Sequence, residues 1–317
     1  MAEKRPTVAV IGLGPVGSIL AAHLANNGET VIGEDVMTDL LRTIDRDGLK
    51  ISGFTTLNAR VSKTVNSIAE LSEAGPEIIF ISTKACILNA ILPELKEILT
   101  PHMKIVSFQN GLGNEQLLAD TLEVDTTYRV VVNYAGNKTS LGSTVMNWFQ
   151  PPNYVGAYHR GTYVIDETTK VIAEMMTAAG LDTKEHADVK KVVWEKTILN
   201  STLCSICAVT GQMMKEAMEN FHTLKLAEKV LEEGLAVAKA DGYDFGEEAL
   251  DRFVAYLEKG GAHKPSMLID VERRRPTEVD FMSGAVVLHG QKHNVPTPVN
   301  SVLTSILKGI ESKYAKN

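Results

Sequence analysis

The stretch TVAVIGLGPVGSILAAHLANNG, residues 7–28, decides how the first half of the chain folds. It begins with an apolar, β-branched run at residues 8–11, passes through the turn GLGPVG, and continues with apolar residues at helical spacing. A second strand-like run follows at residues 30–33. This order of strand, tight glycine turn, helix and strand is typical of a dinucleotide-binding βαβ unit.

The three glycines of this turn have different expected roles. Gly12 permits the sharp turn, Gly14 lets a pyrophosphate approach the backbone, and Gly17 lets the helix pack closely on the strand. The N-terminus of the helix adds free N–H groups and a positive dipole end. The alternative is a glycine-rich turn that binds no ligand. The pattern favours cofactor binding by Gly12, Leu13, Gly14, Pro15, Val16 and Gly17.

Length and composition indicate a globular protein of about two domains. The chain has 317 residues, of which 44% are hydrophobic and 22% are charged. A net charge of −7 argues against nucleic acids and anionic membranes as partners. No apolar run is long enough to span a bilayer, and the N-terminus lacks the pattern of a signal peptide. We therefore expect a cytoplasmic location and a small-molecule partner.

The three cysteines agree with a reducing compartment. Cys204 and Cys207 form a C-x-x-C pair, but the pair lies inside a long helical pattern and no second pair completes a zinc site. We interpret both thiols as small apolar packing groups, and we expect no metal site.

Two further apolar runs, at residues 77–82 and 104–108, predict parallel strands that are buried on both faces. Lys84 follows the first run and Asn110 follows the second. Because ligands of open α/β sheets bind at the carboxyl ends of the strands, we expect both residues to lie near the glycine turn. Residues 128–133, 144–149 and 154–158 predict additional strands, some of them antiparallel.

From residue 188 onward the pattern becomes almost entirely helical. Predicted helices cover residues 188–212, 221–240, 247–259, 277–293 and 298–314. The sequence therefore predicts an α/β fold: an N-terminal Rossmann-type dinucleotide-binding domain at residues 1–185 and a C-terminal all-helical domain at residues 186–317, which we expect to bind the substrate and catalyse the reaction.

The first long helix of the second half carries polar residues on one face. Lys196, Asn200 and Cys204 are four residues apart, with apolar neighbours around them. A snorkelling lysine beside an amide explains this pattern without any function. Glu278 is a second candidate, although Thr277 resembles a helix N-cap and a first-turn carboxylate suits the helix dipole.

The order and spacing of six short motifs resemble the ketopantoate reductase family over nearly the whole chain. They are GLGPVG at residues 12–17, STK at 82–84, QNG at 109–111, WEKTILN at 194–200, KPSMLID at 264–270 and PTEVDFMSG at 276–284. The resemblance implies reduction of a 2-oxo acid to a 2-hydroxy acid by NAD(P)H. Its expected substrate is 2-dehydropantoate, which would be reduced to pantoate.

The resemblance also implies a role for each matched residue. Lys196 would be the general acid that protonates the ketone oxygen, and Glu278 would position that lysine or its proton network. Asn110 and Asn200 would orient the substrate, Ser266 would hydrogen-bond it, and Lys84 would lie at the edge of the cofactor. A proton donor at the developing alkoxide is what such a reduction requires. We therefore expect an active site in a cleft between the two domains, and a homodimer is one possible assembly.

Three positions depart from the family pattern, in which each carries an asparagine that contacts the substrate. Here they are Cys204, His263 and Ser283. A thiol in place of an amide loses hydrogen bonds to a polar substrate group, so the identity of the 2-oxo acid stays open. One alternative is a D-2-hydroxyacid dehydrogenase for a bulkier apolar 2-oxo acid. Another is a catalytically silent dinucleotide-binding protein, although Lys196 and Glu278 argue against it.

The expected cofactor differs from the one that the resemblance implies. Family members resembling this chain prefer NADPH and hold its 2′-phosphate with a basic or small polar residue where Val36 stands here. Glu34 lies 17 residues past Gly17, close to the position of a carboxylate that accepts hydrogen bonds from the ribose 2′-OH. Because such a carboxylate repels a 2′-phosphate, the sequence predicts a preference for NADH over NADPH. The alternative is a phosphate held by Lys84 or Arg42.

Overall fold

In the computed structural model, which describes residues 5–314, the first strand β1 (Thr7–Ile11) lies in the middle of a parallel sheet. Its alternating side chains pack on opposite faces of that sheet. Val8 and Val10 belong to one hydrophobic core, whereas Ala9 and Ile11 belong to another. A strand buried on both faces needs a continuous apolar run, which is what this segment supplies.

The other strands also belong to the N-terminal part of the chain. They are β2 (Thr30–Glu34), β3 (Leu49–Gly53), β4 (Leu57–Ala59), β5 (Lys63–Val65), β6 (Ile78–Ile81), β7 (Lys104–Ser107), β8 (Thr126–Val131), β9 (Tyr134–Ser140), β10 (Ser143–Phe149), β11 (Asn153–His159), β12 (Thr162–Val164) and β13 (Thr183–Glu185).

The main sheet has the strand order β5-β2-β1-β6-β7-β8-β11-β12, with β13 beside β11. Pairing is parallel from β5 to β8, and antiparallel between β8 and β11 and between β11 and β12. A smaller sheet has the order β4-β3-β10-β9. The reversal of strand order at β1 is the arrangement of a Rossmann-type fold, so the predicted fold class is confirmed.

Six α-helices accompany these strands within the described residues. They are α1 (Pro15–Asn26), α2 (Thr38–Asp47), α3 (Leu71–Ala74), α4 (Leu88–Ile98), α5 (Asn114–Leu122) and α6 (Glu167–Ala178), with short 3₁₀ helices at Ile68–Glu70 and Ala85–Ile87. Helix α1 starts with Pro15 at its first position, where proline costs no hydrogen bond. It is followed by Gly28 with φ of +89°.

The C-terminal part of the chain is helical throughout the described residues. Its helices are α7 (Val189–Thr210), α8 (Met214–Glu219), α9 (Phe221–Ala240), α10 (Ala249–Glu258), α11 (Ser266–Glu272), α12 (Ser283–His293) and α13 (Pro298–Glu311), with a 3₁₀ helix at Val279–Phe281. The carboxylate of Glu233 accepts the N–H groups of Val299 and Asn300, and thereby caps the start of α13.

The chain divides into two compact units. The sheet unit comprises residues up to 109 and 114–189, and the helical unit comprises residues 110–113 and those from 190 onward. The boundary predicted between residues 185 and 186 follows β13 directly, whereas the units separate four residues later. The short segment 110–113 groups with the helical unit, which the sequence did not predict.

One predicted helix is wrong in its extent. The pattern predicted a continuous helix over residues 277–293, but the chain forms a 3₁₀ helix and then starts α12 after Met282, which has φ of −113° and ψ of −101°. The carbonyl oxygen of Phe281 accepts the N–H of Leu112 at 2.9 Å. A contact with a distant part of the sequence therefore occupies a carbonyl group that a continuous helix would use itself.

None of the helices in residues 5–314 is both long enough and apolar enough to cross a membrane.

Candidate active site and cofactor site

The glycine turn between β1 and α1 has little space for side chains, except at one position. Gly12 has φ of +89°, and a Cβ there would lie 2.9 Å from the backbone nitrogen of Thr83. A Cβ on Gly17 would collide with the Gly12 carbonyl oxygen and the Ser82 hydroxyl. A Cβ on Gly14 would meet no atom within 4 Å. Gly14 therefore faces open space, while Gly12 and Gly17 are required by the packing.

Hydrogen bonds to backbone carbonyl groups hold this turn in place. The Ser82 hydroxyl donates to the Gly12 oxygen at 2.6 Å, and the Ser18 hydroxyl donates to the Leu13 oxygen at 2.9 Å. The Tyr134 hydroxyl donates to the Val16 oxygen at 3.1 Å. Because all of these bonds are made by groups of the protein itself, they fix the backbone of the turn.

These features fit the pyrophosphate of a dinucleotide. The open space beside Gly14 lies at the N-cap of α1, where the positive end of the helix dipole favours an anion. Gly12, Leu13, Gly14, Pro15, Val16 and Gly17 all lie in this turn or in the first turn of α1.

Two carboxyl groups lie at the end of β2, Glu34 as its last residue and Asp35 directly after it, and they differ in their surroundings. Asp35 Oδ2 accepts the N–H of Leu13 at 2.9 Å, and its other oxygen accepts the N–H of Met37. Glu34 is only 4% exposed. Burial, together with the negative charge of Asp35, raises the pKa of Glu34 to about 7. Asp35 thus hydrogen-bonds the glycine turn at Leu13, whereas a hydrogen bond from the Gly12 backbone to the Glu34 carboxyl partly opposes the rise in its pKa.

Lys84 lies near the glycine turn, because the residue before it, Thr83, contacts Gly12. It is half-buried at the start of the 3₁₀ helix Ala85–Ile87, directly after Thr83, whose backbone nitrogen approaches Gly12. The Gln109 amide donates to the Thr83 carbonyl at 3.0 Å and so joins the ends of β6 and β7. The predicted grouping of Lys84 with the glycine turn at the carboxyl ends of the strands agrees with these contacts.

Cys204 lies at the centre of a group of candidate residues in the helical unit. Its side chain is 4% exposed and belongs to an apolar cluster with Met267, Val279 and Met282. Met267 follows Ser266, and Val279 follows Glu278. Ser266 and Glu278, which are distant in the sequence, are therefore each next to a residue of the same small apolar cluster.

Electrostatic interactions connect the same group. Burial raises the pKa of the Cys204 thiol well above its usual range, and the negative charge of Glu278 acts in the same direction. The positive charge of Lys196 opposes this shift, and the carboxylate of Asp270 reinforces it. Lys196 and Glu278 thus lie within interaction range of one buried thiol.

The C-x-x-C pair is a packing feature, as predicted. Cys204 and Cys207 are buried within α7 and form no disulfide. Burial raises the pKa of Cys207 to about 12, so both thiols are protonated at neutral pH.

Glu278 is held by contacts of the residue before it. The backbone N–H and the hydroxyl of Thr277 both donate to Glu311 Oε1, at 2.7 and 2.6 Å. Glu278 itself occupies the N-cap of the 3₁₀ helix Val279–Phe281, and its side chain makes no capping hydrogen bond. The Thr277 hydroxyl accepts the N–H of Val279 at 3.3 Å, which is the hydrogen bond expected of a cap, although the 3₁₀ helix begins one residue later than predicted.

Asn110 enters the same region through the segment 110–113. Leu112 donates to the Phe281 carbonyl, and Gly111, with φ of +90°, lies so close to Phe281 that a Cβ would collide with it. Since Phe281 ends the 3₁₀ helix that Glu278 begins, Asn110 and Glu278 belong to two adjoining segments of the helical unit.

The other predicted substrate residues are less closely connected. Asn200 is half-buried on α7, one turn after Lys196. Ser266 is exposed at the first position of α11, and His263 is exposed in the preceding loop, where its carbonyl accepts the N–H of Met214. The roles of Asn200, Ser266 and His263 in substrate binding stay predictions from the sequence.

Two features of this region were not predicted from the sequence. Ser283 is fully buried and shares a hydrogen bond of 2.6 Å with Ser205 on α7, so its hydroxyl is already used inside the helical unit. Asp270 is 1% exposed and accepts a hydrogen bond from Arg275 at 2.9 Å. Its spacing of four residues from Ser266, on one helix face, was the signal that would have indicated it.

Comparison with known families gives a consistent result. Residues 8–159 match the family model described as Ketopantoate reductase PanE/ApbA, and residues 188–311 match the model of its C-terminal domain. The chain belongs to the ketopantoate reductase family. The 2-dehydropantoate 2-reductase of Pyrococcus abyssi is 29% identical, over 98% of this chain and 99% of the relative. That of Archaeoglobus fulgidus is 28% identical, over 96% of this chain and 98% of the relative.

Solved structures of this family have the same fold. A PanE/ApbA family ketopantoate reductase from Ralstonia eutropha has a TM-score of 0.85 at 22% identity, covering 98% of this chain and 99% of the other. A ternary complex of D-mandelate dehydrogenase with NADH and anilino(oxo)acetate has a TM-score of 0.83 at 20% identity, with the same coverage. At these identities the similarity extends to the fold alone.

The glycine turn of this ketopantoate reductase family member gives a first prediction. Gly14→Ala places a methyl group in the open space without backbone strain, because Gly14 has φ of −64°. We expect an unchanged melting temperature but at least about tenfold weaker dinucleotide binding by calorimetry. Gly309→Ala, on exposed α13, should leave binding unchanged. Gly17→Ala should lower the melting temperature itself. A Gly14→Ala variant that binds the dinucleotide with wild-type affinity would contradict the assignment of the glycine turn as the pyrophosphate site.

Glu34 gives a second prediction, on stability against pH. Its pKa is raised from 4.5 to about 7 by burial, so folding favours the protonated form. The resulting stability is fully present below pH 4.5 and is lost as the pH rises through 7, on the order of 3 kcal/mol. We expect Glu34→Gln, without cofactor, to become progressively more stable than the wild type between pH 5 and 8. Glu73→Gln, at an exposed site, should show no such trend; parallel curves for Glu34→Gln would refute the raised pKa.

Proposed function

We propose that this protein is an NAD(P)H-dependent reductase that converts a 2-oxo acid to a 2-hydroxy acid, with 2-dehydropantoate as the substrate and pantoate as the product. The observation that carries the proposal is the packing of Cys204, on the helix that holds Lys196, with Val279, the neighbour of Glu278. It joins the two matched motifs of the ketopantoate reductase family that hold the expected acid and its partner. The glycine turn, with its open space at Gly14, supports dinucleotide binding in the same chain.

The chemistry needs one hydride and one proton. A nicotinamide dinucleotide, when bound, supplies the hydride to the carbonyl carbon of the 2-oxo acid. The Lys196 ammonium donates its proton to the carbonyl oxygen, so that an N–H bond breaks as the O–H bond forms. The same positive charge stabilises the developing alkoxide. Glu278 acts through Lys196, because a neighbouring carboxylate favours the charged, proton-donating form of the amine.

Neutral groups would orient the substrate around this acid. The amides of Asn110 and Asn200 and the hydroxyl of Ser266 can hydrogen-bond the oxygens of a 2-oxo acid without adding charge. Lys84, beside the glycine turn, would contact the cofactor. We infer that the helical unit binds the substrate and that the sheet unit binds the cofactor.

A second candidate substrate is a bulkier, apolar 2-oxo acid. The residue at the position of a family asparagine, Cys204, lies in an apolar cluster, and Ser283 is hydrogen-bonded to Ser205 rather than available to a ligand. Loss of two amides favours an apolar substrate group over a hydroxyl group. D-mandelate dehydrogenase, which has the same fold, bears the name of such an enzyme.

The test is NAD(P)H oxidation with a panel of 2-dehydropantoate, phenylglyoxylate and a branched 2-oxo acid. We expect turnover with at least one, and Lys196→Ala should lower kcat by about 10²- to 10⁴-fold while cofactor affinity stays nearly constant. Lys229→Ala, at an exposed position on α9, is the matched control. Glu278→Gln should also lower kcat. No oxidation with any substrate would indicate a silent dinucleotide-binding protein, and wild-type turnover of Lys196→Ala would exclude its role as acid.

For the cofactor, we propose a preference for NADH. Asp35 hydrogen-bonds the glycine turn, and Glu34 is buried beside it, so two carboxyl groups end β2 where Val36 replaces a basic residue. A carboxylate at this place accepts hydrogen bonds from ribose hydroxyls and repels a 2′-phosphate. Glu34 is the residue expected from the sequence, and the hydrogen bond of Asp35 to Leu13 makes Asp35 a second candidate for this role.

The preference is tested by the ratio of kcat/KM for NADH to that for NADPH. We expect the ratio to exceed one in the wild type and to fall at least about tenfold in Asp35→Asn, since one like-charge contact is removed. Asp39→Asn, at an exposed position on α2, controls for the loss of a negative charge. If Glu34→Gln lowers the ratio instead, Glu34 is the ribose ligand. A wild-type preference for NADPH would point to Arg42 or Lys84 as a phosphate ligand.

We further propose a homodimer. Leu288 on α12 and Val302 and Ile306 on α13 are exposed by 66%, 57% and 41%. Exposed apolar side chains on two consecutive helices are typical of an interface. The structure of a ketopantoate reductase from Staphylococcus aureus is described as dimeric. Light scattering of the purified protein distinguishes a dimer from a monomer. A cytoplasmic location stays a prediction from the sequence.

A further inference from the structure

A second polar cluster in the helical unit takes no part in the proposed reaction. Asp241 follows the end of α9, and His289 and His293 lie one turn apart on α12. One carboxylate oxygen and one nitrogen from each imidazole lie within 4.8 Å of one another. Imidazole and carboxylate groups at this spacing are the ligands of many zinc sites.

The distances within the cluster suit a metal ion. His293 Nε2 is 2.8 Å and His289 Nδ1 is 3.4 Å from Asp241 Oδ1. Two ligands of a tetrahedral zinc ion, each about 2.0–2.1 Å from the metal, lie about 3.3 Å apart. The longer distance therefore fits shared coordination better than a hydrogen bond.

His289 adds an independent observation. Its Nδ1 atom is buried, and its 3.4 Å contact with Asp241 Oδ1 is an ion-pair distance without the geometry of a hydrogen bond to any of residues 5–314. A buried polar atom without a partner is rare in folded proteins and calls for an explanation, of which a bound ion is one. A metal ion between His289, His293 and Asp241 would use this nitrogen.

The other oxygen of Asp241 is held by neighbours that would support a ligand. Trp194 Nε1–H donates to Asp241 Oδ2 at 3.0 Å, and Lys190 Nζ lies 3.1 Å from the same oxygen. These contacts fix the carboxylate with Oδ1 turned towards the two histidines. Metal-binding carboxylates are commonly oriented by such outer hydrogen bonds.

We propose that Asp241, His289 and His293 bind one zinc ion, with water at the remaining position. The ion would join the C-terminal end of α9 to α12, next to Trp194 on α7. No candidate substrate residue belongs to the cluster, so the ion would stabilise the packing of these helices and take no part in the proposed reduction. The competing explanation is that protonated His289 and His293 pair with Asp241 without any metal. The positive charge of Lys190, 3.1 Å from Asp241 Oδ2, opposes the binding of a cation.

The test uses the full-length protein without a histidine tag, stripped of metal with a chelator. Titration with zinc chloride by calorimetry should give one ion per chain, and the melting temperature should rise with zinc and not with magnesium. His289→Asn and His293→Gln keep an amide nitrogen in place of the imidazole nitrogen. We expect each to weaken zinc binding at least about tenfold. His222→Gln, at an exposed position on α9, is the control.

Cobalt gives a second readout that does not depend on folding stability. Its visible spectrum should show the intense bands of a four- or five-coordinate site in the wild type and lose them in both histidine variants. Equal melting temperatures of the metal-free wild type and variants would show that the variants fold. Absence of stoichiometric zinc binding, or binding that persists in both variants, would overturn the proposal, and the reductase assay is unaffected by either outcome.

Discussion

The carbonyl oxygen of Gly12 and the hydroxyl of Ser82 fill the space that a side chain at residue 17 would need. This close approach brings α1 down onto β1 and β6, and it places the start of the helix at the end of the parallel strands. Close contacts surround Gly12 and Gly17, but no atom lies within 4 Å of the position that a Cβ on Gly14 would take, so open space remains there. The cofactor site is therefore a consequence of how closely one helix packs on one sheet.

In the helical unit, α7 is buried along most of its length and still carries many polar residues. The hydroxyls of Ser201 and Thr202 donate to the carbonyl of Ile198 within the helix, and Ser205 shares a hydrogen bond with Ser283. Burial is thus tolerated because these groups are satisfied locally. Lys196, half-buried on the same helix, adds a positive charge that lowers the pKa of the Cys204 thiol against the effect of burial.

The parts of the fold that depend on local sequence were predicted well. The strand, turn and helix at the start of the chain follow from glycine sterics and apolar spacing, and the helix predicted over residues 221–240 coincides with α9. The break at Met282 was missed because the carbonyl of Phe281 is bound by Leu112, a contact that no local pattern records. Glu34 as the ribose ligand stays a prediction, whereas the hydrogen bond from Leu13 to Asp35 depends on how the folded turn lies beside β2 and is not recorded by a local pattern. The grouping of Lys196 with Glu278 came from matched motifs, since spacing alone relates residues only within one element.

The bond between Leu112 and Phe281 means that the helical unit is discontinuous in the sequence. Residues 110–113 belong to it, although the chain on both sides belongs to the sheet unit. A fragment that begins at Lys190 would lack the donor for the Phe281 carbonyl and would expose the surface covered by Gly111. Exchange of helical units between relatives by a single crossover near residue 189 would therefore combine a 3₁₀ helix from one parent with a loop from the other. A functional chimera would have to carry both segments from the same parent.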